Sequence, residues 1–395
     1  MSRMTLRAKL VSFARTARKA LGLGVATAAL SACVGALPGS GGGGVRGDGP
    51  VQVALLVPYG SSRGTDTTVA RSLENAARLA AADLGAGVID ITVYPTQGTP
   101  GGAQAAATQA VGAGAQVILG PLYADNAAAA GVAASGSGVP VLSFSNNTSI
   151  AGGNVWVLGN TFQNTAERLL SYAARQGRNR VLVTHAANEA GQIASAAIAA
   201  AAPRTGAQIT GAVGYELSQA GIQAAVPGIA DQARRTGSNG IFLTGNTAGD
   251  LPVISQLLSE AGIGGEEFRY IGLTRWDIPA EALALPGLQG GYFALPDQGT
   301  LAQFEARYRG ANGSAPHPIA NLAYDGIAAV GAIAARGQTV GRGTLTSRSG
   351  FAGTGGAFRL RGDGTIQRAL AVAQVVDRRA RIVSPAPANF GGGGS

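Results

Sequence analysis

The chain has 395 residues, 46% hydrophobic and 13% charged, so it can bury a large core and is longer than one ordinary domain. Six of its 30 basic residues and none of its 21 acidic residues lie before Leu21, so the formal charge of +9 falls to +3 beyond that point. The remainder has no basic run interleaved with aromatic residues, which argues against nucleic-acid binding. It also has no lysine, which excludes lysine-dependent chemistry there.

Residues 1–32 are typical of an export signal, with a basic start followed by a short apolar run. The run is shorter than the roughly 20 apolar residues that span a membrane. Leu30 to Cys33 resembles the lipobox of bacterial lipoproteins, which implies cleavage before Cys33 and lipidation of its thiol. Because Val34 and not aspartate follows, the resemblance implies anchoring to the outer membrane, facing the periplasm. As alternatives, Cys33 would be a small buried residue or a free thiol.

Residues 33–50 combine the predicted lipidated Cys33 with a stretch rich in Gly, Pro and Ser. Such a composition has little to bury and predicts a flexible linker. A linker of this length would hold the folded part roughly 20–25 Å from the lipid. Cys33 is also the only cysteine, which excludes an internal disulfide and a cysteine-based zinc site.

Strands and helices alternate from Val51 onward. The apolar run VQVALLV predicts a buried strand, and Val69, Leu73, Ala76 and Ala80 recur at helical spacing after it. Further strands are predicted at 89–94, 117–119, 141–142 and 155–158, with helices at 102–111, 124–134 and 161–175. A second series has strands at 180–185, 207–216, 240–245 and 269–274, with helices at 189–202, 223–235 and 250–261. Two such series predict an α/β fold of two doubly wound parallel-sheet lobes.

The last part of the chain must attach to lobes already built. It contains a strand at 292–296, helices at 300–308 and 318–336, and two late strands in GAFRL and ALAVAQVV. We therefore expect lobe 1 to comprise 51–160 and 292–338, and lobe 2 to comprise 161–291 and 339–383, with a hinge and a cleft between them. Residues 384–395, which end in a glycine run, are expected to be a disordered tail.

The strand-helix-strand unit at 115–147 predicts a site. In open parallel sheets, ligands bind outside the carboxyl ends of the strands, so the loops Leu122 to Asp125 and Ser145 to Asn147 should line one crevice. The candidates from these loops are Tyr123, Ser145, Asn146 and Asn147. Other candidates at predicted strand ends are Tyr59, His185, Asn246, Thr274, Arg275 and Trp276.

Each candidate has a structural alternative. The aromatic residues would suit a sugar or peptide face, and would equally suit packing at the edge of the core. His185 is either a ligand contact or a hydrogen-bonded loop histidine. Arg275 would give the cleft one fixed cation, and the candidates include no obvious anion, so the cleft should prefer neutral or anionic ligands.

Catalytic and cofactor signatures are missing. The sequence has no Ser-x-x-Lys, and its two histidines, His185 and His317, are far apart. A Walker-type phosphate loop is impossible without lysine. We therefore predict a binding protein and not an enzyme, with no metal and no cofactor.

Several motifs together resemble the type I periplasmic-binding fold, especially the leucine/isoleucine/valine-binding family. They are VALLVPYG, VILGPLYADNAAAA, VPVLSFSNN, VWVLGNTFQNTAERLLSYAARQG and NLAYDGIAAVGAIAARG. The resemblance covers about 51–383 and implies two lobes joined by several crossovers, with hinge closure on a ligand. The family's amino-acid pocket is altered, because Ala124 and the stretch Ser145 to Asn147 replace its hydroxyl residues.

The acid that would pair the ligand ammonium in that family is also missing, since Thr274 or Arg275 stands at that place. A branched-chain amino acid is therefore an unfavourable ligand. The sequence looks most like the penicillin-binding-protein activator subgroup, which implies a regulator of peptidoglycan synthesis with a peptidoglycan synthase as partner. The alternative is a substrate-binding lipoprotein for amino acids, amides or small peptides that delivers its ligand to an ABC permease.

Overall fold

The computed structural model describes residues 49–390. The predicted export signal, Cys33, nearly all of the linker and residues 391–395 lie outside the described residues. All described residues belong to one compact unit.

The first lobe is built on a five-stranded parallel sheet with the order β2-β1-β3-β4-β5. The strands are β1 (Val51–Val57), β2 (Ile89–Pro95), β3 (Val117–Leu119), β4 (Val141–Ser143) and β5 (Val155–Val157). The helices that connect them are α1 (Asp66–Leu84), α2 (Pro100–Gly112) and α3 (Ala124–Ser135). α1 covers one face of the sheet, while α2 and α3 cover the other. A strand buried on both faces needs a continuous apolar sequence, which is why β1 reads VQVALLV.

The second lobe is built on a seven-stranded sheet with the order β14-β13-β10-β9-β8-β6-β7. Its strands are β6 (Arg180–Ala186), β7 (Gln208–Tyr215), β8 (Gly240–Leu243), β9 (Arg269–Gly272), β10 (Tyr292–Leu295), β13 (Ala371–Val376) and β14 (Arg379–Ser384). The helices on its faces are α4 (Phe162–Arg175), α5 (Glu189–Ala201), α6 (Gln219–Arg235) and α7 (Leu251–Glu260). The strands β6 to β10 run parallel, whereas β13 and β14 pair antiparallel at one edge. The predicted α/β fold with parallel sheets is confirmed, with this antiparallel addition.

Late segments return to the first lobe. These are α8 (Gln298–Asn312), α9 (Ala320–Ala334), α10 (Arg342–Leu345) and the hairpin of β11 (Phe358–Leu360) and β12 (Ile366–Arg368). α9 packs against α1 and is buried over most of its surface. A Cβ at Gly326 would lie 2.4 Å from Leu119 Cδ1, so this glycine allows α9 to lie close to β3.

The chain therefore crosses between the lobes three times, after β5, after β10 and after β12. The expected lobe limits differ from this at two places. β10 lies in the second sheet because it pairs with β9 and β13, so 292–296 does not belong to lobe 1. The segment from α10 to the β11–β12 hairpin lies in lobe 1, because Leu345, Phe358 and Ile366 are buried in the first-lobe core.

The expectation of a disordered tail is wrong for residues 384–390. Ser384 is the last residue of β14, and the Arg168 side chain donates to Ser384 Oγ at 2.7 Å. The Arg359 guanidinium lies 4.9 Å from the centroid of the Phe390 ring. These contacts tie the described end of the chain to α4 and β11.

Four short helical turns lie in the connections between these elements: Thr148–Ile150, Ala202–Arg204, Ala280–Ala284 and Pro286–Leu288, of which the last two lie between β9 and β10. Within residues 49–390, no helix combines the length and apolar character that a membrane crossing requires. The same part of the chain contains no cluster of three or more His, Cys, Asp or Glu residues that could hold a metal ion.

Candidate functional site

A cavity of about 630 Å³ lies between the lobes, at the carboxyl ends of their strands. The first lobe contributes the ends of β3, β4 and β5 together with the start of α9, and the second contributes the ends of β9 and β10. Apolar walls come from Leu122, Phe144, Leu273, Leu295, Ile319 and Leu322. Polar groups come from Tyr123, Ser145, Asn146, Asn147, Asn160, Thr165, Asn321, Arg275 and Arg368. We call this space the interlobe cavity.

The two loops expected to share a crevice do so. Leu122, Tyr123 and Ala124 from the loop after β3 line the same cavity as the stretch Ser145 to Asn147 after β4. They meet because β3 and β4 are parallel neighbours, which brings their carboxyl ends to one edge of the sheet. Asp125 is exposed and does not line the cavity.

Tyr123 is held by the first lobe. Its hydroxyl donates to Asp66 Oδ1 at 2.6 Å, and the Arg63 guanidinium lies 4.4 Å from its ring centroid. Burial raises the pKa of Tyr123, and the hydrogen bond to Asp66 adds to that rise. With its hydroxyl engaged, Tyr123 can offer mainly its ring to a ligand.

In the loop after β4, Asn146 has the most available side chain. Ser145 Oγ accepts the Asn147 amide at 3.1 Å, and Asn147 Oδ1 accepts the Ser149 amide at 2.9 Å. The Asn146 side chain makes no hydrogen bond to any described residue. A Cβ at Gly159 would lie 2.8 Å from Asn146 Cβ, so the neighbouring glycine is required for this packing.

Arg275 lines the cavity from the second lobe and forms a salt bridge with Asp277. Its Nε and Nη2 donate to the Asp277 carboxylate at 2.9 and 2.5 Å. Asp277 does not line the cavity, and Nη1 of Arg275 makes no hydrogen bond to a described residue, so the guanidinium can still donate to a ligand. Among the described lining residues there is no carboxylate, so neither cation of the cavity is balanced by an acid that itself lines it.

Arg368, the other lining cation, was not predicted. Its side chain is 8% exposed and pairs with Asp325, which is fully buried, at 2.7 Å. Its Nε and Nη2 also donate to the Leu158 carbonyl at 3.0 and 2.8 Å. Asp325 further accepts the Thr354 amide and hydroxyl. The network links α9 to the end of β5 and to β12, so it lies beside two of the three crossings between the lobes.

Three candidates from the second lobe do not line the cavity. Trp276 is fully buried and packs against Phe293, with ring centroids 5.9 Å apart. The Trp276 ring occupies the space that a side chain at position 272 would need, since a Cβ at Gly272 would lie 2.2 Å from the ring. Thr274 Oγ1 donates to the Gly245 carbonyl at 2.9 Å, and the backbone N–H of Asn246 donates to the Asp250 carboxylate at 3.0 Å. Trp276 is thus a core residue, and the other two hold loops together.

Tyr59 and His185 also lie outside the cavity lining. The Tyr59 hydroxyl donates to Glu74 Oε2 at 2.8 Å, and burial raises the pKa of Tyr59 to about 12, helped by that carboxylate. His185 Nδ1 lies 2.8 Å from the Ala186 carbonyl, a contact that fits the alternative of a hydrogen-bonded histidine. Both residues stand near the ends of their strands, and these contacts hold them there.

Comparison with known proteins gives a family and a fold. The family model described as "Periplasmic binding protein" matches residues 50–380. No curated protein matches the chain.

Solved structures match over almost their whole length. A putative branched-chain amino acid ABC transporter protein from Rhodospirillum rubrum has 17% sequence identity and a TM-score of 0.68, covering 85% of this chain and 100% of its own. A branched-chain amino acid ABC transporter periplasmic ligand-binding protein from Burkholderia xenovorans LB400 has 17% identity and a TM-score of 0.62, covering 87% and 97%. A solute-binding protein of an ABC transporter from Rhodopseudomonas palustris BisB5, in complex with 3,4-dihydroxybenzoic acid, has 18% identity and a TM-score of 0.54, covering 86% and 98%. At these identities the likeness shows the fold.

Proposed function

The chain belongs to the periplasmic binding protein family, and we propose that it binds a small solute in the interlobe cavity and delivers it to an ABC permease. The predicted resemblance to the type I periplasmic-binding fold is confirmed. The family is one of exported, periplasmic binding proteins. The finer prediction of a penicillin-binding-protein activator receives no support from the solved structures named above, which their descriptions connect with transport.

One observation carries the proposal: both lobes line a single cavity of about 630 Å³. This volume lies within the roughly 300–1,000 Å³ that small-molecule sites occupy. A solute bound there would contact both lobes at once and favour the closed arrangement, since it gains contacts only when both walls are present. A binding role without catalysis is consistent with a lining that supplies no acid, base and nucleophile together.

The lining favours an amphipathic ligand that is neutral or carries one carboxylate. Leucine and phenylalanine side chains would surround an aliphatic or aromatic part, while the amides of Asn146 and Asn321 have no hydrogen bond to a described residue and can reach a polar head. No described lining residue is acidic, so a ligand ammonium would be buried without a partner, which costs several kcal/mol. Amides, small peptides and aromatic carboxylates therefore fit better than free branched-chain amino acids.

A thermal-shift screen tests the proposal on the exported chain. The compounds are amino acids, amides, dipeptides, aromatic carboxylates and muropeptides. A ligand at about a hundredfold excess over its Kd should stabilise the protein by about 2.7 kcal/mol. If no compound shifts the melting temperature, the receptor role loses its support and docking on a peptidoglycan synthase becomes the better explanation.

Substitution of Arg275 checks where the ligand binds. Arg275→Gln should weaken a carboxylate ligand by roughly 1.5–3 kcal/mol, the range for a hydrogen bond to a charged group. It should leave the amide analogue of the same compound nearly unchanged. Arg336→Gln is the control, because Arg336 is exposed and lies outside the cavity. Equal weakening by both variants would contradict binding in the interlobe cavity.

We further propose that the chain is anchored by lipid at Cys33, which lies outside the described residues. The support is the Leu-Ser-Ala-Cys sequence directly behind an apolar run. Membrane fractionation of a Cys33→Ser variant tests this, because the variant should leave the membrane fraction. A variant that remains membrane-bound would contradict the anchor without affecting the ligand proposal.

A further inference from the structure

A second cavity, of about 310 Å³, lies on the flank of the molecule between α4, the β11–β12 hairpin and the end of the chain. Six arginines line it: Arg168, Arg175, Arg204, Arg359, Arg361 and Arg368. Glu167 is its one acidic lining residue among those described. We call it the arginine pocket. Its walls belong to both lobes, because α4 packs on the second sheet and the hairpin on the first.

The carboxylates nearby neutralise only part of this charge. Glu167 pairs with Arg361 at 2.7 Å and with Arg204 at 3.1 Å, and Asp325 pairs with Arg368 from outside the pocket. Within the described chain, Arg168, Arg175 and Arg359 have no carboxylate within 4.0 Å. Six guanidinium groups against two carboxylates leave four positive charges around one concave space.

Two of the three unpaired arginines are held firmly in place. Arg168 donates through Nε to the Leu370 carbonyl at 2.6 Å and through Nη2 to Ser384 Oγ at 2.7 Å. Arg359 donates to Gln367 Oε1 at 2.7 Å and stacks on Phe390. Neutral partners orient these groups without cancelling their charge. Such preorganisation lowers the ordering cost of binding an anion.

Burial and the repulsion between neighbouring cations both disfavour the charged forms of these arginines. Burial, with the charge of Arg175 adding to its effect, lowers the pKa of Arg168 to about 10. Burial also lowers the pKa of Arg359, with Arg361 adding to the effect. For Glu167, burial acts to raise the pKa, but the hydrogen bonds and charges of Arg361 and the neighbouring donors outweigh it and lower the pKa overall. An added anion would relieve the repulsion.

We propose that the arginine pocket binds a soluble, multiply charged phosphate, with pyrophosphate as the representative probe. Arginine is the side chain best suited to this ligand, because its planar guanidinium can make two parallel hydrogen bonds to phosphate oxygens. Among the described lining residues, the arginine pocket and the interlobe cavity share only Arg368 and Leu370, so the two spaces are adjacent but separate and this ligand would be additional to the transported solute. The concave shape, closed on one side by Pro387 and Phe390, favours a small molecule over the flat surface of a membrane.

Isothermal titration of the exported chain with pyrophosphate tests the proposal. Wild-type protein should bind it saturably at one site, and raised salt should weaken the binding. Arg175→Gln should weaken it by about tenfold or more, since one hydrogen bond to a charged group is lost. Arg175 is exposed and its side chain makes no hydrogen bond to a described residue, so the variant should keep the wild-type melting temperature.

Arg336→Gln is the matched control, because it removes the same charge from an exposed arginine outside the pocket. It should bind pyrophosphate as the wild type does. Absence of saturable binding to wild-type protein, or equal weakening in the two variants, would overturn the proposal. Co-sedimentation with phosphatidylglycerol vesicles in the absence of pyrophosphate binding would also overturn it, since the phosphate group would then belong to a lipid surface.

Discussion

Removing the Asp325 carboxylate should destabilise the protein strongly. Asp325 is fully buried and, among the described residues, is the only acid paired with Arg368, whose side chain is 8% exposed. Asp325→Ala leaves that guanidinium buried without a counter-charge and deprives the Thr354 amide and hydroxyl of their acceptor. Breaking a buried pair in this way typically costs about 3–5 kcal/mol, a large part of the roughly 5–15 kcal/mol that stabilises a native protein.

Urea unfolding followed by tryptophan fluorescence can measure this loss. Trp156 lies in the core of the first lobe and Trp276 in that of the second, so both lobes contribute to the signal. The control is Asp231→Ala, which breaks the exposed Asp231–Arg235 pair on α6. An exposed pair of this spacing contributes only about 0.3–0.5 kcal/mol.

A double substitution separates the charge effect from simple loss of packing. Replacing Asp325 by Leu and Arg368 by Met removes both charges and keeps apolar volume. It should cost less than Asp325→Ala alone, because no buried charge is left unpaired. The reasoning would be refuted if Asp325→Ala cost no more than Asp231→Ala, or if the double variant were no more stable than Asp325→Ala.

Two further predictions concern the first lobe. Gly120→Ala should impair folding, because Gly120 has a φ of +93° and an added Cβ would lie 2.2 Å from the Leu56 carbonyl oxygen. The control is Gly112→Ala, which should be neutral or slightly stabilising because its Cβ meets nothing within 4 Å. Soluble yield and melting temperature of the two variants check this prediction. The pKa of Tyr59 is raised from 10.0 to about 12, so the fold stabilises the protonated hydroxyl. This stabilisation is complete below pH 10 and is lost as the pH rises towards 12. The ultraviolet titration curve of the wild type, after subtraction of the curve of Tyr59→Phe, should therefore have its midpoint near pH 12. A midpoint near pH 10 would show that Glu74 and burial do not perturb this hydroxyl.

The sequence predicted the strands and helices well wherever both faces of a sheet are covered. Continuous apolar runs such as VQVALLV leave few alternatives to a buried strand. The strands it missed have weaker signals. β12 has only three residues, and β14 (RARIVS) is a partly exposed edge strand in which charged residues interrupt the apolar ones. Which sheet β10 joins depends on pairing with β9 and β13, and four buried apolar residues would fit either core.

Local order along the chain explains which site residues could be predicted. Tyr123 and the stretch Ser145 to Asn147 follow adjacent strands, so parallel pairing alone brings them together. The burial of Trp276 could not be predicted in this way, because it depends on the space that Gly272 leaves for the indole ring. Arg368 is different as well, since its carboxylate partner, Asp325, belongs to another element distant in sequence. Sequence patterns report periodicity within an element and carry little information about such distant partners.

The late return of the chain to the first lobe affects the order in which the protein can assemble. A chain made from its amino terminus presents β1 to β5 long before α9 and the β11–β12 hairpin exist, although Ile327 and Phe358 belong to the same core as Leu55. Until then, α1 alone covers that face of the nascent sheet, and the apolar surface that stays uncovered promotes aggregation. A fragment that stops before residue 292 would therefore contain two incomplete halves, so this protein cannot be shortened to a single stable lobe by one cut.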